Sequence, residues 1–223
     1  MTEEGGNTIA QGGVTITPVG QQFTEVVVAC FAEGTRIRTP RGDVRVEALR
    51  VGDHVATACG ESRKVVWLGH RRVDCRLHPR PRAVWPVRVA AHACGPGLPH
   101  ADLLLSPDHA VYLGGVLVPI RHLVNGVSIA QLARDAVTYW HVELDRHDVL
   151  LAEGLPCESF LDTGQRGAFD GGGAGAQLHP DLVRRRWDGE ACAPMVVAGP
   201  DLARARAMLA TRHPAGATRC AAA

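Results

Sequence analysis

The residue best placed to do chemistry is Cys30, because it directly follows an apolar run at residues 26–29. A cysteine thiolate can attack the carbonyl carbon that precedes it, here that of Ala29, and convert the amide into a thioester with a free amine. Such an N-to-S acyl shift needs a base for the thiol, a proton for the departing nitrogen and donors that polarise the carbonyl. A lone cysteine is more often a packed core thiol, so other residues must supply these groups.

Ser106 and His109 form a second candidate group, separated only by Pro107 and Asp108. A hydroxyl and an imidazole at this spacing, around a proline turn that enters a strand, can both face one backbone segment. We expect the Ser106 hydroxyl to bond the scissile carbonyl and the His109 imidazole to protonate the leaving nitrogen. The alternative is a structural turn in which the serine bonds local backbone and the histidine lies at the surface.

Two further histidines lie near a predicted turn. Apolar and polar residues alternate over residues 139–144, which predicts a strand, and residues 145–146 predict a turn into a second strand at 147–152. On paired strands close to one turn, His141 and His147 would flank one site. The alternative is a half-exposed hairpin with solvated polar side chains.

The elements that must position these groups are short strands. Residues 30–164 consist of β-branched runs divided by glycine, proline and aspartate turns, a pattern typical of an all-β domain. Turn chemistry at residues 39–43 and a glycine pair at residues 114–115 each predict a hairpin.

The regions outside this domain differ in composition. Residues 1–29 form a short N-terminal segment, a candidate cleaved leader. Residues 165–223 are rich in glycine, alanine and arginine, and Pro200 predicts the start of a helix near 201–212.

Charge and cysteine usage restrict the function classes. The net charge of +1 gives no reason to expect a nucleic acid or a membrane as partner. No apolar run approaches the ~20 residues of a membrane span, and no Sec-type signal peptide is visible, which favours a cytoplasmic or non-classically secreted protein. The seven cysteines are scattered, without a C-x-x-C pair, so we expect free thiols and neither a metal site nor a cofactor.

Taken together, these motifs resemble the Hint (hedgehog/intein) domain family. Residues 30–37, followed by residues 46–53, are similar to the opening motif of the family. The Ser106-x-x-His109 pair is similar to its Thr-x-x-His motif, and residues 139–155 look like its late motif. Within the family, the chain most resembles the bacterial stand-alone Hint domains.

The resemblance implies a fold and a set of roles. The fold would be a Hint-like horseshoe of short β-hairpins, here with a partly helical C-terminal tail. Cys30 would be the nucleophile, Ser106 and His109 the activating pair, and His141 or His147 an auxiliary acid or base. The substrate would be the chain's own N-terminal segment, in a single intramolecular turnover.

The sequence departs from the splicing members of the family in one respect. Splicing requires a terminal asparagine that cyclises, but the only asparagines are Asn7 and Asn125, neither near the end of the domain. We therefore expect N-terminal cleavage, with water or a small thiol as the nucleophile that resolves the thioester. Two alternatives stay open: an inactive scaffold or interaction module with the same fold, and a protease that cleaves other proteins with Cys30 and His109 as its dyad.

Overall fold

The computed structural model describes residues 29–170, 172 and 180–212. Its strands are β1 (Phe31–Ala32), β2 (Arg36–Thr39), β3 (Gly42–Arg45), β4 (His54–Ala56), β5 (Ser62–Asp74), β6 (Val87–Val89), β7 (Leu103–Leu105), β8 (Ala110–Leu113), β9 (Val116–Pro119), β10 (Ile129–Gln131), β11 (Ala136–Leu144), β12 (Val149–Ala152) and β13 (Leu155–Glu158). Its helices are α1 (Pro81–Val84), α2 (Pro180–Glu190) and α3 (Gly199–Arg212), with 3-10 turns at Val46–Ala48, Ile120–Leu123 and Arg166–Ala168. None of the described helices is long and apolar enough to cross a membrane.

The strands form two antiparallel sheets, so the all-β prediction is confirmed. One sheet has the order β10-β6-β7-β1-β11-β5-β4 and the other the order β3-β2-β12-β13-β8-β9. The very short β1 lies between β7 and β11, where Phe31 pairs with Leu105 on one side and with Trp140 on the other. This central position places Cys30, the residue before β1, among strands that are distant in sequence.

Alternating burial explains how the short strands pack. In β2 the side chains alternate between exposed and buried, so Ile37 is fully buried while Arg36 and Arg38 face solvent. Phe31, Leu105 and Leu150 are also buried and join Ile37 in one core shared by both sheets. The hairpins predicted at residues 39–43 and 114–115 are confirmed as β2–β3 and β8–β9.

The pairing predicted for the strands of His141 and His147 is wrong. β11 pairs with β5 and β1 in the seven-stranded sheet, whereas β12 pairs with β13 and β2 in the six-stranded sheet. The turn after Leu144 therefore carries the chain from one sheet to the other. Alternation within each segment predicted the strands correctly but contained no information on their long-range partners.

The late motif has a structural role at the β12–β13 turn. Glu153 and Gly154 have positive φ angles of 47° and 80°, as a tight two-residue hairpin turn requires. The Glu153 carboxylate accepts a hydrogen bond from the Arg36 backbone N–H at 2.8 Å, and its other oxygen lies 3.0 Å from Nε2 of His100. This part of the motif therefore joins strands and does not contribute to the Cys30 site.

The tail packs on the domain. Leu202, Ala205 and Leu209 share one face of α3, where they are buried and join the main core. The backbone of Leu117 in β9 exchanges hydrogen bonds with Pro194 and Val196, at 2.9 and 2.8 Å. Residues 1–28 of the candidate leader at 1–29 lie outside the described residues.

Candidate active site

Ser106 holds Cys30 through its backbone and its side chain. The Ser106 N–H donates a hydrogen bond to the Cys30 carbonyl at 3.0 Å, and the Cys30 N–H donates to Ser106 Oγ, also at 3.0 Å. The expected bond between the hydroxyl and the Ala29 carbonyl stays a prediction. The hydroxyl lies at the nitrogen that an acyl shift would release, and the backbone bond fixes Ser106 beside Cys30.

His141 contacts the thiol directly. Its Nε2 lies 3.2 Å from Cys30 Sγ, within hydrogen-bond range for sulfur. The ring is fully buried in β11 and packs against the rings of Phe160 and Phe169, with centroid distances of 5.1 and 4.1 Å. With Nε2 unprotonated, this ring can accept the thiol proton.

His109 lies on the other side of the same segment. Its ring centroid is 4.3 Å from that of Phe31, the residue after Cys30, and the side chain is fully buried. Its backbone N–H donates to the Ser106 carbonyl at 3.1 Å. The backbone groups of Cys30 and Glu158 interact with the ring and act against the effect of burial on its pKa. A buried imidazole in contact with the backbone of the reacting residue suits proton transfer.

Burial keeps the site uncharged. It raises the pKa of the Cys30 thiol well above its usual value, although a hydrogen bond from Ser106 and the charge of Arg71 act against this shift. Burial also lowers the pKa values of His109 and His141 to about 3. The resting state is therefore a neutral thiol beside neutral imidazoles, and the thiol proton must move to His141 as the sulfur attacks.

The contacts of His147 lie elsewhere. Its Nδ1 accepts a hydrogen bond from the Cys192 N–H at 3.0 Å, and its ring packs edge-on against Trp187. Its Nε2 faces Glu158 at 3.8 Å. Of the five predicted site residues, the structure brings Cys30, Ser106, His109 and His141 together and places His147 beside Glu158 and Trp187 instead. The reason is that His141 lies in β11 of one sheet and His147 precedes β12 of the other.

Glu158 is a residue that the sequence analysis missed. It ends β13, is 2% exposed, and accepts a hydrogen bond from the Ala110 N–H at 2.7 Å. Burial raises its pKa to about 8, with the Ala110 bond acting against the shift and the charge of Asp108 acting with it. The available signal was a carboxylate at the end of the apolar stretch Leu155–Glu158, since acidic side chains are almost never fully buried without a specific reason.

A cavity of about 360 Å³ adjoins the scissile bond, with Ala29 and Glu158 in its wall. Phe160 and Trp187 supply apolar surface, and Asp108 and Arg121, which form an ion pair, supply charge. The cavity lies at the junction of the strands with the tail, because Met195 and Val197 also line it.

One group of potential metal ligands shares no residue with this site. Ligand atoms of Cys59, Glu61 and Asp148 lie within 4.8 Å of one another. Arg63 forms ion pairs with both carboxylates, so their charge is already compensated. We assign no metal to this group.

The buried titratable groups predict acid sensitivity of the fold. Between about pH 4.5 and 6.5, the usual pKa values of glutamate and histidine, unfolding allows His109, His141 and His147 to take up protons, because burial holds their pKa values at about 3, 3 and 4. Glu158 releases a proton on unfolding in this window, because its pKa in the fold is about 8. Together, these four groups take up about two protons when the protein unfolds. The free energy of unfolding should therefore fall as the pH is lowered from about 6.5 to about 4.5. Urea unfolding across this range measures the effect, and stability that is constant or rises towards acid would contradict it.

A family model described as a Hint domain matches residues 29–164. The match covers more than half of the chain, so the chain belongs to the Hint-domain family. Membership of this family supports a self-processing domain in general. No curated protein sequence matches the chain significantly.

Several solved structures are similar in fold. The MchDnaB-1 intein shares 17% identity at a TM-score of 0.42, covering 58% of this chain and 98% of the intein. A bacterial intein-like domain from Clostridium thermocellum shares 13% identity at a TM-score of 0.36, with coverage of 58% and 97%. A DnaB intein from Synechocystis sp. shares 8% identity at a TM-score of 0.41, with coverage of 60% and 99%.

Proposed function

We propose that this domain cleaves its own Ala29–Cys30 peptide bond by an N-to-S acyl shift followed by resolution of the thioester. The observation that carries the proposal is the double engagement of Cys30, whose N–H donates to Ser106 while its Sγ contacts His141. The two atoms that exchange the acyl group, the nitrogen and the sulfur of one residue, are thus each held by a polar side chain.

The first step would use three side chains. As Sγ attacks the Ala29 carbonyl carbon, the thiol proton passes to Nε2 of His141, 3.2 Å away. The C–N bond then breaks, and the departing Cys30 nitrogen takes a proton from His109 while Ser106 Oγ fixes the orientation of its N–H. The proton held by His141 then replaces the one that His109 gave up, so both rings end neutral. The product is a thioester between Ala29 and Cys30 with a free Cys30 amine.

Resolution of the thioester would end the reaction. The asparagine required for splicing is absent from the end of the matched region, so an external nucleophile must attack the Ala29 carbonyl. Water or a small thiol would release the upstream segment and regenerate the Cys30 thiol. The proposed substrate is thus the chain's own N-terminal segment.

The proposal is tested with the full chain carrying an N-terminal reporter. Intact mass spectrometry with and without dithiothreitol should detect a chain that begins at Cys30, and dithiothreitol should accelerate its appearance because a thiol attacks a thioester and not an amide. A chain that stays intact with the thiol would contradict self-processing and leave the inactive scaffold. Cleavage that occurs between molecules, when a substrate copy is mixed with the protein, would favour the protease instead.

A further inference from the structure

The cavity beside Ala29 points to a second catalytic group that acts after the thioester has formed. We propose that Glu158 is the general base that activates a water molecule in this cavity for attack on the Ala29–Cys30 thioester. The inference rests on the proposed function and assigns the residue and the nucleophile of its second step.

The position of Glu158 relative to the reacting bond supports this assignment. Glu158 and Ala29 line the same cavity of about 360 Å³, which has room for more than one water molecule. Glu158 is close enough to the reacting residue for its charge to act on the Cys30 thiol. Its neighbour across the sheet, Ala110, directly follows His109, so the carboxylate belongs to the same cluster as the activating histidine.

One short hydrogen bond orients the Glu158 carboxylate. Oε1 accepts the Ala110 N–H at 2.7 Å, while Oε2 faces Nε2 of His147 at 3.8 Å. Nδ1 of His147 accepts the Cys192 N–H, so the proton of the neutral ring must lie on Nε2, towards the carboxylate. The tail segment that contains Cys192 thus selects the tautomer of His147, whose Nε2 lies beyond hydrogen-bond distance of the carboxylate.

The protonation state of Glu158 suits a base near neutral pH. Burial raises its pKa to about 8, so about a tenth of the group is deprotonated at pH 7, and the carboxylate is more basic than an ordinary one. The titratable groups near it include His109, His147, Asp108, Cys30, Cys157 and Cys192. Arg121 pairs with Asp108 and so compensates the nearest negative charge.

The proposed step balances without another reactant. The water oxygen bonds to the Ala29 carbonyl carbon as its proton passes to Glu158. The bond from that carbon to Cys30 Sγ breaks, and Glu158 returns the proton to the departing thiolate. One water is consumed, and the products are a carboxyl group on Ala29 and a free Cys30 thiol.

The test compares hydrolysis with thiolysis in the full chain carrying the N-terminal reporter. In ¹⁸O-labelled water without thiol, the released wild-type fragment should carry label at Ala29, and the rate of hydrolysis should rise with pH and level off above about pH 8.

Glu158→Gln keeps an oxygen acceptor for the Ala110 N–H but cannot take a proton. We expect it to slow hydrolysis about a hundredfold and to abolish the inflection near pH 8. Release by dithiothreitol should fall by much less, because this thiol supplies its own thiolate.

Each outcome has one meaning. The assignment of Glu158 to the second step would be overturned if the Glu158→Gln variant hydrolysed the thioester at the wild-type rate. It would also be overturned if hydrolysis and thiolysis slowed by the same factor. If the variant does not fold, the wild-type pH profile decides, because a rate that rises with hydroxide and has no inflection also overturns it. Absence of thiol-induced release from the wild type would instead refute the proposed function itself. Glu190→Gln, an exposed carboxylate at the end of α2, is the matched control and should behave as wild type.

Discussion

Replacement of Cys30 by alanine is expected to abolish release of the upstream segment completely, with and without thiol. No acyl shift can occur without Sγ, because the sulfur is the atom to which the Ala29 acyl group moves. The cysteine side chain is buried next to His141, and alanine is smaller, so the variant should fold. Intact mass spectrometry of the reporter fusion measures the loss, and circular dichroism verifies the fold.

A second cysteine variant separates this effect from a general requirement for thiols. Cys59 is exposed and contacts Thr57, far along the chain from the site. Cys59→Ser should release the reporter at the wild-type rate. Release of the reporter from the Cys30→Ala variant would be incompatible with Cys30 as the specific nucleophile. So would an equal loss of release in the Cys30→Ala and Cys59→Ser variants.

Replacement of His141 by alanine is expected to slow thiol-induced release by a factor of about 10² to 10⁴, the usual contribution of a positioned acid–base group. The physical reason is the high pKa of the buried thiol, which leaves almost no thiolate without a nearby proton acceptor. Single-turnover release kinetics at fixed dithiothreitol concentration measure the effect.

The pH dependence of His141→Ala distinguishes a chemical role from a structural one. Without the imidazole, hydroxide must remove the thiol proton, so the remaining rate should rise with pH more steeply than in the wild type. His54→Ala, at an exposed position in β4, is the matched control and should change nothing. An unaltered rate in His141→Ala would show that the 3.2 Å contact with Sγ has no part in the reaction.

The sequence predicted local structure well. Turn residues between short apolar runs predicted the β2–β3 and β8–β9 hairpins, because turn chemistry and alternation are local properties of the chain. The spacing of Ser106 and His109 similarly predicted that both would face one segment, and both lie beside Cys30.

Long-range partners could not be predicted in the same way. The separation of His141 from His147 depends on the sheets that β11 and β12 join. The strands pair with β5 and β2, respectively, which are far away in sequence. The contact between the Ser106 hydroxyl and the Cys30 N–H spans 76 residues. A backbone hydrogen bond between the same two residues accompanies it. Glu158 was missed because its burial and its place in the cavity wall depend on contacts between elements that are distant in sequence.

The most direct measurement of the acyl shift is capture of the thioester by hydroxylamine. Hydroxylamine at neutral pH attacks thioesters and leaves ordinary amides intact, so mass spectrometry of the released fragment identifies the reactive bond. The acyl shift predicts a fragment that ends at Ala29 as a hydroxamate, and none from Cys30→Ala. A wild-type chain that remains intact, or a fragment that ends at any other residue, would contradict thioester formation between Ala29 and Cys30.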